Sequence, residues 1–128
     1  MGHHQVRSEE MIMRYGVFYM LYEREQSIAS DSPVDMEPAQ ASREILAAMD
    51  GDGDYLGLID RNGTVLQIMY DLDDDRFWAE IPLLEQQASH GCWLDYAACE
   101  ALLMDLPETF TIQAFPDFVH TPWQNAQP

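Results

Sequence analysis

Three groups of residues have types and spacings that could do chemistry. Asp50-x-Asp52-x-Asp54 follows a helical pattern and puts carboxylates at positions 1, 3 and 5 of a calcium-type loop. Such a loop also needs glycine at position 6 and a bidentate glutamate at position 12, where this chain has Tyr55 and Arg61. A cation in place of the last oxygen ligand argues against calcium and leaves a helix-to-strand turn. The same test on Asp71, Asp73 and Asp75 meets Arg76 and Pro82 in the two critical places. The third group, His90-x-Cys92 with Cys99 and His120, could form a thiol or zinc site. It lacks the Cys-x-x-Cys or His-Glu-x-x-His spacing that such sites use, and Cys99 falls on a helix stripe read as buried. With no glycine-rich phosphate loop either, the sequence is read as having no catalytic residue, no metal and no cofactor.

What the acids can do without chemistry is attract. The 128 residues carry 23 acids against six arginines and no lysine, a formal charge of −17. A field of this sign speeds encounter with a cationic surface and opposes duplex nucleic acid or an anionic membrane. Nine of the acids lie between Asp50 and Glu80, with only two arginines among them. The expected partner-binding residues are therefore Asp52, Asp54, Asp71, Asp73, Asp74, Asp75 and Glu80, joined by Trp78, a residue type favoured at interface hot spots. The expected partner is a basic protein, with no direct nucleic acid and no membrane.

These residues must be positioned by a fold, and 47% apolar content supplies a core despite the charge. The length fits one domain. Residues 1–10 are read as a loose terminus or an expression remnant, and 11–128 as a single globular domain. Tyr15 to Glu23 is aromatic and apolar on both faces, as in a strand covered on both sides. Ser27 to Pro38 reads as a polar connection, and Pro38 to Met49 as a helix burying Ala41, Ile45, Ala48 and Met49. Tyr55 to Asp60 and Thr64 to Asp71 form a hairpin through Asn62-Gly63, whose residues readily take positive φ. Phe77 to Leu84 is a third strand, and Pro82, which cannot donate to a ladder, puts its end at an edge or past the pairing. After a loop from Gln86 to Gly91, Asp95 caps a helix to about Leu106 that buries Tyr96, Cys99, Leu102, Leu103 and Leu106. Thr109 to Phe115 is a final strand. The fold class is α+β: one mainly antiparallel sheet of four to five strands with two helices packed on it, in the order β-α-β-β-β-α-β.

Tyr55-Leu-Gly-Leu-Ile-Asp-Arg-Asn-Gly63, Leu66-Gln-Ile-Met-Tyr-Asp71, Trp78-Ala-Glu-Ile-Pro82 and the loop before Cys92 resemble small immunity proteins of bacterial polymorphic toxin and contact-dependent competition systems. The resemblance covers about residues 50–106. It implies a small, non-catalytic cytoplasmic protein that inactivates a cognate toxin domain by occluding its active site or holding it misfolded. The sequence gives two independent reasons to expect the cytoplasm. Met11 to Glu23 is too short and too charged to span a bilayer, and Cys92 and Cys99 suit a reducing compartment. Other classes remain open: a nucleic-acid mimic presenting carboxylates in place of phosphates, or a small enzyme using His90, Cys92 or carboxylates.

Overall fold

The computed structural model describes residues 13–123, so the reading of residues 1–10 as a terminus lies outside them. Eight strands form one sheet: β1 (Tyr15–Leu21), β2 (Gln26–Ile28), β3 (Val34–Met36), β4 (Tyr55–Ile59), β5 (Val65–Asp71), β6 (Arg76–Leu83), β7 (Ala88–Leu94) and β8 (Val119–Pro122). Two helices are inserted, α1 (Pro38–Glu44) before β4 and α2 (Tyr96–Met104) before β8. The sheet order is β2-β1-β4-β5-β6-β7-β8, with β3 pairing the lower part of the β1 edge that β2 pairs above. Every pairing is antiparallel.

The α+β class and the mainly antiparallel sheet are as expected, whereas the strand count and order differ. Ser27 to Pro38 contributes two strands rather than a bare connection. Each is three residues long, too short for alternation to register. The segment read as a loop before Cys92 contains the start of β7, whose Ala-Ser-His-Gly-Cys run has no apolar alternation. The last strand is β8, not Thr109 to Phe115, which instead forms a 3-10 turn at Ile112–Ala114. The first helix is also interrupted. Ile45, at φ −114° and ψ −59°, caps the α-helix, and a 3-10 turn at Leu46–Ala48 completes the segment.

Register decides which residues share a face. Val17, Leu58 and Leu66 align across three strands, as do Leu56, Ile68 and Ala79, and all are fully buried. Ala41, Ile45 and Met49 from the first helical segment, and Cys99 and Leu103 from α2, pack on that face. Phe110, Phe115 and Phe118 close its end in a chain of ring contacts. Tyr96, expected in the buried stripe, is instead exposed. It begins α2 and lies against the edge of Phe77.

Two buried aspartates bracket β4. Asp54, 1% exposed, accepts from the backbone amides of Tyr22 at 2.9 Å, Asp50 at 3.1 Å and Gly51 at 2.9 Å. Asp60 accepts from Asn62 and Thr64 at 2.9 Å and from Phe110 at 2.7 Å. The second set closes the Asn-Gly hairpin, in which only Gly63 takes positive φ, at 85°. On the opposite face the Phe18 ring lies on Gly57, where a side chain would collide with it.

Asp54→Ala should deprive three backbone donors and lower the unfolding free energy by about 3 kcal/mol or more. The readout is a fall in urea midpoint at unchanged slope. Asp73→Ala, in an exposed turn, should move stability by less than about 0.5 kcal/mol.

Candidate functional site

Antiparallel order brings alternate connections to the same end of the sheet. Because β1, β5 and β7 finish at the end where β4 and β6 begin, four acidic connections meet there. They are the turn Tyr22 to Glu25, the loop Asp50 to Asp54, the turn Leu72 to Asp75 and the α2 cap at Asp95. The acids are distant in sequence but share one end of the molecule.

Their roles at that end differ. Asp54 faces inward and offers no charge to a docking partner. It therefore drops out of the expected binding set, because its oxygens are committed to backbone amides. Asp52 accepts from the Leu72 amide at 3.1 Å, tying two loops together. Asp75 takes a left-handed backbone at φ 50° and accepts from the Tyr70 hydroxyl at 2.7 Å. Asp71 and Asp74 pair with Arg76 at 3.2 and 3.3 Å, and Arg24 pairs with Asp50 at 3.0 Å. Among the described residues, the Asp73 side chain makes no hydrogen bond or ion pair. Of the acids expected to bind, Asp73 and the outward oxygens of Asp52, Asp74 and Asp75 are presented at this end, beside the exposed Glu23, Glu25, Asp50 and Asp95.

Arg76 links the acidic end to the sheet face that the helices leave open. Its guanidinium lies 3.7 Å from the centre of the Trp93 ring, and Trp93 meets Trp78 edge to face at 5.1 Å between centroids. Register puts Met69, Trp78 and Trp93 in one row across β5, β6 and β7, with Glu80, Ser89 and Thr121 beside it on the same face. Trp78 and Glu80 thus share one face of β6. Gly91, opposite Glu80, provides room for the Trp78 ring. A methyl group there would stand 2.9 Å from its edge and 2.5 Å from the Ala79 carbonyl oxygen.

This row and Trp123 line a concavity of about 600 Å³. A neighbouring hollow of about 1010 Å³ on the same face runs past Tyr55, Val65 and Gln67 to Leu84 and Gln86. Trp93 is 46% exposed and Met69 37%, in a composition of tryptophan, methionine and arginine that favours protein contact. No family model, curated protein or solved structure matches the chain. Its function must therefore be argued from this geometry.

Nothing among the described residues gathers three potential metal ligands, and none of their helices is long and apolar enough to cross a membrane. His90 is buried against Phe118, with its Nε2 at 3.2 Å from the Phe115 carbonyl oxygen. His120 meets Gln86 at 3.1 Å. Ser89 donates to Glu80, but the adjacent His90 points to the other face by strand alternation, so no serine–histidine pair forms. Burial pushes the Cys99 thiol up to about 12, and Cys92 is raised by burial and then by Asp117. Neither favours a thiolate near neutrality.

Ser89 and the role of Trp123 were not legible in the sequence. The signal for Ser89 would have been period-two alternation through Trp93, but the segment from Gln86 to Gly91 reads as loop. Trp123 reaches the site only through β8 and a backbone bond from its amide to the Gln87 carbonyl at 2.9 Å.

Two measurements follow from these environments. At neutral pH iodoacetamide should label Cys92 slowly and Cys99 only after unfolding, as read by peptide mass. The hydrogen bond to Asp75, then burial, raises the Tyr70 phenol above its ordinary value. Its stabilising contribution is complete below the unfolded value of about 10 and is lost as pH rises through the higher folded value. Tyr70→Phe should therefore lose stability less steeply than the parent above about pH 10 in denaturation series.

Proposed function

We infer that this chain is a non-catalytic acidic binding protein that docks on a basic protein surface. Within that class it acts as an immunity protein, working in the cytoplasm to cover the active-site surface of a bacterial toxin domain. The observation that carries this reading is the meeting of four acidic connections at one end of a sheet whose adjoining face is open and aromatic. Acid at the rim raises the encounter rate with a cationic surface, while the exposed Trp93 and the half-buried Trp78 provide contact area that outlasts the encounter. Steric and electrostatic blocking needs no turnover, consistent with raised thiols and histidines held by other groups.

A nucleic-acid mimic would space its carboxylates along an extended surface. Gathering them around one end favours a patch that plugs a basic cleft. Arg76, paired with Asp71 and Asp74 and stacked on Trp93, holds the two parts of the surface in fixed relation.

The test uses a toxin-like C-terminal domain of a large secreted protein, which this reading expects a neighbouring gene to encode. It should bind the purified chain, and combining Asp73→Asn with Asp74→Asn should slow association roughly tenfold at low salt with a smaller change in dissociation. Failure of any neighbouring gene product to bind, or an unchanged association rate in the neutralised variant, would sink the reading.

A further inference from the structure

The concavity on the open face holds one carboxylate among three indoles. Trp78 Nε1 donates to Glu80 Oε1 at 2.9 Å, and the Ser89 hydroxyl donates to the same oxygen. Trp123 Nε1 donates to Ser89 Oγ at 2.8 Å, which completes a chain from one wall of the hollow to the other. Ser89 is 1% exposed, so this chain is fixed from beneath. Among the described residues, Glu80 Oε2 accepts no hydrogen bond and joins no ion pair. The carboxylate is thus oriented through one oxygen and open to solvent at the other, in a bowl walled by Trp78, Trp93, Trp123 and Met69.

Three kinds of guest can be compared. An anion meets Glu80 and a chain of formal charge −17. A neutral apolar group removes water from Oε2 and returns no donor. A cation satisfies the free oxygen and is also attracted to the ring faces, more strongly as water leaves. Arg76 already makes this pairing at the rim, its guanidinium 3.7 Å from the centre of Trp93 and its charge on Asp71 and Asp74.

We propose that this concavity receives one cationic side chain, a lysine ammonium or an arginine guanidinium, presented by the basic partner. Glu80 Oε2 is its counter-ion, and Trp78 and Trp123 are the ring walls. The proposal rests on the docking reading and names a contact within it. With only one oxygen free, the contact is a single charge-assisted hydrogen bond rather than a two-pronged fork.

The probe is a blocked pentapeptide with glycine at four positions and arginine, lysine or citrulline at the centre, at an ionic strength of about 0.15 M. The three tryptophans each contribute one indole N–H signal in nitrogen-15 spectra. Arginine and lysine peptides should shift the Trp78 and Trp123 signals saturably, whereas citrulline, which keeps the shape of arginine without its charge, should not. Glu80→Gln keeps an acceptor for Trp78 and Ser89. It should retain three dispersed indole signals and lower peptide affinity about tenfold. Asp73→Asn, at the acidic end, should change that affinity by less than about twofold. Equal shifts with citrulline overturn the proposal on the parent protein alone. So does unchanged affinity in Glu80→Gln, or indole signals that move with protein concentration before any peptide is added, which would make a second copy the occupant. A failed titration beside intact, salt-dependent binding of the toxin domain removes the cation site and leaves the docking surface. A successful titration with no toxin binding does the reverse.

Discussion

The structure turns on β4, a five-residue strand held at both ends by a buried carboxylate. Asp54 and Asp60 together accept six backbone N–H bonds, and those amides belong to the turn after β1, the loop before β4, the β4–β5 hairpin and the segment after α2. Six charge-assisted bonds offset the desolvation of two acids. They also fix how far each loop stands from the sheet. Without them, the connections that carry the remaining acids would have no common anchor. In so acidic a chain, these two carboxylates organise the backbone, and the exposed ones face outward from the frame they make.

That frame has two unlike faces. Both helical segments pack on the same side of the sheet, so leucine, isoleucine and phenylalanine side chains fill one face. The other has no helix on it among the described residues and is covered locally, by Phe18 on Gly57 and by Trp123 over Ser89. Leaving a sheet face with Trp78, Trp93 and Met69 in water costs free energy that a monomeric fold gains nothing from. The hydrogen-bond chain through Glu80, Ser89 and Trp123 gives this face a fixed shape, and a fixed shape lowers the ordering cost of binding. Arg76 serves both regions, quenching part of the acidic turn while covering one side of an indole. Electrostatic reach and apolar contact are therefore built side by side, with Arg76 at the boundary.

The amino-acid sequence by itself determined the charge, the β4–β5 hairpin, the third strand with Trp78 and Glu80 on one face, and the Asp95 cap. The cap is realised as Asp95 Oδ1 accepting from the Ala98 amide at 2.8 Å. All of these are local: they depend on neighbours within a few positions, where periodicity and side-chain geometry act directly. Pro82 also behaved as its chemistry requires, facing Ser89 in β7 but lying beyond the last β5–β6 pair, Gln67 with Glu80. Only the tertiary structure decided the rest. β2, β3 and β8 are strands because an edge was available to pair with, not because three or four residues have a pattern of their own. Asp54 belongs to an acidic run that reads as surface, yet it is buried because amides from distant positions converge on it. Trp123 and Ser89 lie 34 residues apart and meet through the β7–β8 pairing. The physical reason is the same in each case. A partner supplied from far along the chain changes what a residue is worth, and no local pattern carries that information.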